Sequence, residues 1–279
     1  MNRQEELMRT ISFSLLLLGL SISAAAAQEW YIPKRTQILE RGTGELGVRL
    51  QVSANNDGLL DTFRSDSVLF LRYTPVSRLE IYVDCPYSFI ERENIENFSY
   101  VSERGSGIGD AFMQLSFEGF SGEDWKILYN LDTVFPTGRN PYKYAIAFGG
   151  GHTSVAMGQT AMKVIDPVVL FMHVGYRHTI ARRFLGNKYS PGGGIRFRFG
   201  SGISLNPRVQ TTLAVNAERV LTSKVNNQGV TASASTNVGF GWGIDWKLKN
   251  GFGLNSNATF GMTKNTPDAT IAMGCSIGF

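Results

Sequence analysis

His152 and Ser154 stand two residues apart in a stretch where Val155 and Met157 alternate with smaller residues. On an extended strand this spacing puts an imidazole and a hydroxyl on one face, the pairing through which a histidine activates a nucleophilic serine. Val155 and Met157 take the apolar face, so the pair points inward, away from any acyl chain arriving from a bilayer. His173 and His178 are five apart, fall on opposite strand faces and have no cysteine beside them, so they imply no metal, and no cofactor is implied elsewhere. Cys85 and Cys275 are the only cysteines. They lie in segments that do not neighbour each other and read as free thiols. Gly105-Ser106-Gly107-Ile108-Gly109 has the glycine content of a phosphate cradle, but no helix pattern follows it.

The remaining chemistry is charge held on one face. Arg49, Arg72, Lys126, Arg177, Arg196, Arg198 and Arg208 oppose Glu80, Asp84, Asp110, Glu118, Asp132 and Asp245, with Tyr82, Gln114, Asn130, His173, Asn206, Gln210, Asn255 and Asn257 between them. Enclosed together, such residues either brace the interior as ion pairs, the reading favoured here, or line a polar path that selects solutes by charge.

The elements that position them are strands. From Gly44 onward apolar residues recur at every second position, and no segment carries a helical stripe. Ile271, Met273, Cys275, Ile277 and Phe279 share one face against Thr270, Ala272, Gly274, Ser276 and Gly278; Val238 to Leu248 repeats the pattern. Read throughout, this predicts about twelve strands: 44–53, 66–74, 79–91, 107–118, 125–136, 149–162, 168–180, 188–198, 203–216, 231–247, 252–262 and 269–279. Short connections (75–78, 119–124, 163–167, 199–202, 248–251) alternate with mostly longer ones (54–65, 92–106, 137–148, 181–187, 217–230). That asymmetry belongs to transmembrane β-barrels of the outer membrane, with their short periplasmic turns and long outer loops. A soluble β-sandwich also alternates, but it collects aromatic residues in a dry core. Here Tyr73, Tyr87, Phe135, Tyr176, Trp242, Trp246, Phe252 and Phe279 lie toward strand ends, as at a bilayer interface.

Composition agrees. A mean hydropathy of -0.08 and one long apolar run, Ile11 to Ile22, exclude a helical membrane protein beyond that run. Arg3 and Arg9 precede the run and Ala24 to Ala27 follow it, so residues 1–27 read as a signal peptide, 28–43 as a periplasmic lead-in or plug, and 44–279 as the barrel. The pI near 9.1 does not argue for nucleic acid, because the basic residues are spread singly and the chain is exported.

Gly107-Ile108-Gly109-Asp110 and Phe135-Pro136-Thr137-Gly138-Arg139 resemble motifs of the phenol-degradation meta-pathway family of bacterial outer-membrane transporters. In that family the first motif opens a strand running toward the periplasm, and the second ends the next strand upward. The resemblance spans residues 44–279 and implies a β-barrel channel for small solutes, presumed hydrophobic or aromatic. The terminal Phe279 is similar to the signal read by the barrel-assembly machinery. Expected partners are therefore that machinery, outer-membrane lipid and lipopolysaccharide, and the solutes, with a monomeric chain. The alternatives are an outer-membrane lipid-modifying enzyme of lipase or deacylase type, which the His152–Ser154 spacing resembles, and a closed structural barrel with partner-binding loops. In the first alternative the Asn-Gly usual after the serine is replaced by Val155-Ala156.

Overall fold

The computed structural model describes residues 38–56, 60–96, 99–144, 146–230, 233–248 and 250–279. The expected signal peptide, and positions 28–37 of the lead-in, lie outside the described residues. In chain order the strands are β1 (Gly44–Asn56), β2 (Leu60–Val76), β3 (Leu79–Glu96), β4 (Ser99–Ile108), β5 (Ala111–Ser121), β6 (Trp125–Phe135), β7 (Ser154–Ile165), β8 (Val168–Thr179), β9 (Arg182–Phe184) and β10 (Asn187–Ser190). They continue with β11 (Gly194–Asn206), β12 (Val209–Val220), β13 (Lys224–Val225), β14 (Gln228–Gly229), β15 (Ser235–Lys247), β16 (Phe252–Gly261) and β17 (Ala269–Gly278).

Every wall pairing is antiparallel between chain neighbours, and β1 pairs with β17 to close the cylinder. β4 and β5 pair with successive lengths of β3, the first with Tyr87–Glu96 and the second with Leu79–Asp84, so together they occupy one place in a closed twelve-strand wall. Short turns join the strands at the end that holds Gly44 and Phe279, which we take as the periplasmic end. β2 and β3, with 17 and 18 residues, rise well above β16 and β17, with 10 each. At the outer end β9, β10, β13 and β14 form a separate four-stranded sheet.

Three expectations are corrected. Gly200-Ser201-Gly202, read as a turn, lies inside β11, and the turn falls at Pro207-Arg208 instead. Gly200 is there for room: a Cβ on it would meet the buried Phe171 ring at 2.5 Å. Arg208 is consequently an exposed turn residue and not part of the lumen, and Asn206 caps the same turn, accepting the Arg208 N–H at 2.8 Å. The stretches 54–65 and 92–106, read as loops, are largely strand, because β2, β3 and β4 continue beyond the neighbouring wall.

Alternation decides what faces outward. Leu69, Leu71, Val83, Phe117, Tyr129, Val174, Phe197, Leu213, Phe240 and Ile271 are all exposed large apolar residues, and each sits one position from a buried or half-buried neighbour. The aromatic residues expected at strand ends are likewise exposed. Such a belt is stable in contact with acyl chains and not with water. Cys85 and Cys275 are free and exposed on this face.

Candidate functional site

The inward positions of the wall form the candidate site. Arg49, Arg72, Glu80, Tyr82, Asp84, Gln114, Lys126, Asp132, His173, Arg177, Arg196, Arg198 and Asp245 all fall on the inward alternation. Reasoning from sequence missed Glu45, Arg64, Asp66 and Glu218, which are buried on the same face. Glu45 could have been found by extending the alternation of Gly47 and Arg49 by one step.

On the β1–β3 wall the charges form a ladder. Nearest the periplasm, Arg72 pairs with Glu80 at 2.7 Å and Glu45 at 3.6 Å, and Ser276 donates to Glu45. Above them Arg49 faces Asp84 at 3.5 Å, with the Tyr82 hydroxyl donating to Asp84 at 2.9 Å. Higher still Arg64 faces Asp66 at 3.4 Å, and Ser88 donates to the same carboxylate at 2.6 Å. Across the lumen Arg177 meets Glu218 at 3.2 Å, and Arg196 lies between Glu218 at 3.4 Å and Asp132 at 3.6 Å. Each of these cations faces a carboxylate, on its own strand, on a neighbouring one or further round the wall, which favours the bracing role.

The interior is not polar throughout. Leu128, Met162, Phe171 and Ala214 point inward and form an apolar cluster near the periplasmic end. Ile38 and Val169 pack against it. The Leu39 N–H donates to Glu80 at 3.2 Å, and Gly42 donates to the Thr74 carbonyl at 2.8 Å on the opposite wall. The six residues from Ile38 to Thr43, which turn at Arg41-Gly42, therefore run from the apolar cluster to the β2–β3 wall at the periplasmic mouth.

The outer half is shaped by the connection 136–153, which folds inward. Asp110 accepts the N–H of Gly138 at 3.0 Å and of Gly150 at 2.7 Å. Thr137 donates its hydroxyl to the Gly109 carbonyl at 2.7 Å and accepts the Ala111 N–H at 2.9 Å. The two glycine motifs thus clasp each other across β5 and β6. A Cβ on Gly138 would lie 3.0 Å from the Gly109 backbone, and one on Gly107 would meet the Phe148 ring at 2.8 Å, so both positions require glycine for close approach. Pro136 ends β6 because it has no N–H to donate. Phe148 is held 2% exposed against this glycine face.

His152 latches the same connection to the outer sheet. Its Nε2 lies 2.9 Å from the Tyr142 hydroxyl and its Nδ1 lies 3.2 Å from the Ile180 carbonyl. A carbonyl only accepts, so Nδ1 carries the proton and Tyr142 donates to Nε2. Tyr142 stacks on Phe184 at 4.6 Å and packs on Tyr189 at 4.4 Å. Burial pushes the imidazole below its ordinary range, and burial together with Tyr189 raises the Tyr142 phenol. Both ring nitrogens of His152 are thereby engaged away from Ser154, which opens β7, so the geometry supplies no histidine-activated serine. Among the described residues no three His, Cys, Asp or Glu side chains converge to hold a metal ion.

Between the clasped connection and the Arg196 network lies a cavity of about 400 Å³, in which Phe112, Val134 and Phe148 share the lining with Asp110, Asp132 and Arg196. A closed antiparallel barrel with an apolar exterior and an ion-paired interior defines a transmembrane β-barrel of the bacterial outer membrane.

No family model matches the sequence. Among solved structures, an outer membrane channel from Pseudomonas putida F1 superposes with a TM-score of 0.71 at 12% identity, over 89% of this chain and 100% of that one. The NanC porin gives 0.53 at 8% identity, over 83% and 98%, and the transport unit of the autotransporter AIDA-I from Escherichia coli gives 0.50 at 10%, over 91% and 94%. At these identities the likeness is one of fold.

Proposed function

We propose that the chain, after loss of a signal peptide at 1–27, is a monomeric outer-membrane channel that gives small solutes passive passage and is narrowed at its periplasmic mouth by residues 38–43. The observation that carries this reading is the cavity of about 400 Å³ under the outer mouth, followed toward the periplasm by the apolar cluster on which Ile38 sits. A structural barrel has no use for a hollow outer half, and a lipid-modifying enzyme requires a nucleophile at the lipid face. Solutes of hydrophobic or aromatic character, as in the phenol-degradation meta-pathway family, suit a lining where Phe112, Val134 and Phe148 offer ring and alkyl contacts beside charged groups. Phe279, bonded to Gly44 at 2.8 and 2.9 Å, supplies the terminal aromatic that the barrel-assembly machinery reads.

The test is single-channel conductance of the refolded protein in a planar bilayer, beginning at residue 28 or at residue 44. The longer chain gives small or intermittent conductance and the shorter a larger, steady one. Silence from both, with the barrel shown to be folded, removes the channel reading.

A further inference from the structure

The sequence spreads its basic residues singly, but the outer sheet gathers some of them onto one face. Phe184 and Tyr189 face the connection 136–153, where both pack on Tyr142. Arg183 lies next to Phe184 and Lys188 next to Tyr189, so both point the other way, and the register sets Lys188 directly opposite Arg183. Lys224 of β13 pairs with Ser190, two positions from Lys188, and joins the same face. All three are exposed. Two cations directly opposite on neighbouring strands repel, and a sheet this small has little else to offset the repulsion. The stretches 180–193 and 221–234 contain no Asp or Glu, and among the described residues none of the three is paired with a carboxylate.

Two further observations say what such a face meets. Leu185, at the tip of the β9–β10 hairpin, is 83% exposed and has a φ of 49°, followed by Gly186 at 84°. Asn is the residue that relieves this backbone, so the tip keeps an apolar side chain in solvent at the expense of strain. Arg219, at the outer end of β12, points outward from the wall, opposite exposed Ile195, and donates to Thr236 at 2.7 Å. A guanidinium on the lipid side at that height lies at the level of the outer headgroups. Basic side chains interleaved with an exposed leucine, at that boundary, suit a phosphorylated glycolipid better than a soluble polyanion.

We propose that the outer face of the β9–β10–β13–β14 sheet, through Arg183, Lys188 and Lys224 with Leu185 at its edge, binds the phosphate groups of the lipopolysaccharide surrounding the barrel. The assignment rests on the outer-membrane class of the fold and not on the channel reading, so conductance and lipid binding succeed or fail separately.

The full chain, folded in detergent and immobilised, is titrated with bisphosphorylated lipid A, the same lipid A freed of its phosphates, and phosphatidylglycerol, each in phosphatidylcholine vesicles. The parent binds the phosphorylated glycolipid, and the triple variant R183Q/K188Q/K224Q binds it at least tenfold more weakly, given about fivefold per charge before screening by salt. The dephosphorylated lipid binds weakly to both. A charge-matched variant at the periplasmic end, R78Q/R208Q/K247Q, behaves as the parent. Heat-modifiable migration of each variant establishes that it is folded. Equal affinity of the parent for lipid A with and without phosphates overturns the proposal. So does an unchanged triple variant, an equal loss in the periplasmic-end variant, or phosphatidylglycerol bound as tightly as lipid A.

Discussion

Asp110→Asn removes one charge from the clasp that holds the connection 136–153 inside the outer mouth, and its effect can be worked from the geometry. The carboxylate accepts two backbone N–H groups, from Gly138 at 3.0 Å and Gly150 at 2.7 Å, one on each oxygen. Hydrogen bonds to a charged partner contribute about 1.5–3 kcal/mol each, and the Gly150 bond, being exposed, falls at the low end. An amide keeps one acceptor and turns a donor toward the other N–H, so one bond is lost and the second weakens. The clasp then loses about 2 kcal/mol, which is roughly a thirtyfold increase in the open population of the connection. Hydrogen exchange of the folded protein reads this directly: the Gly138 and Gly150 amides exchange about thirtyfold faster in the variant, while amides in β11 and β12 do not change. Gly107→Ala, which pushes on Phe148 from the other side of the same contact, accelerates exchange in the same segment. If Asp110→Asn leaves both glycine amides as protected as in the parent, the clasp is not what holds the connection, and the reading of the two glycine motifs fails.

Arg72→Ala strands Glu45 and Glu80 without their shared guanidinium in a buried place, and costs about 3–5 kcal/mol in urea unfolding from vesicles, with Glu80→Gln recovering part of the loss. Below pH 6.5, the ordinary value for histidine, the His152–Tyr142 latch weakens: burial first and Arg182 second hold His152 below that value, so the latched form binds fewer protons than the released form. The latch is at full strength above pH 6.5 and loses it as pH falls, seen as faster exchange across 136–153 that His152→Asn makes independent of pH. Fluorophores on Cys85 and Cys275 are quenched by brominated acyl chains and not by aqueous iodide, as their place on the outward face requires.

The wall was readable wherever one face is apolar and the other small or polar, as in β15 and β17, where Trp242 and Trp246 or Ile271 and Met273 alternate with glycine, alanine or serine. It was not readable at Val168-Val169-Leu170-Phe171-Met172, where five apolar residues in a row hide which of them turn inward, and the inward Phe171 and Val169 are two that build the apolar cluster. The first glycine of Gly200-Ser201-Gly202 mimics a turn because chain reversal and room for a neighbour's ring make the same demand for a missing side chain. Arg64 and Glu218 were lost for a different reason: they lie where polar composition suggests a loop, and only pairing with a neighbouring strand shows the chain to be extended there, whereas Asp66 opens the predicted strand 66–74 on the same alternation as Arg72. The glycine motifs could be recognised, but their meaning could not, since Asp110 and Gly150 are 40 residues apart and nothing local joins them.

The seam between β1 and β17 differs from every other joint in the wall. Neighbours elsewhere are tied by the chain between them, whereas here Ser276 meets Glu45 across 231 residues, so no connection sets the alignment. A slip by one residue would turn every side chain to the wrong side, but a slip by two would keep all faces correct and change only the stagger, and with it the circumference of the cylinder. Hydrophobic pattern alone is blind to that error. Gly44 is not: a Cβ there would run into the Phe279 ring on the far side of the seam. This notch works as a lock for the bore, admitting the ring at one alignment and refusing it at the next. The stagger of the seam, and with it the diameter of the barrel, is thus marked by one absent side chain.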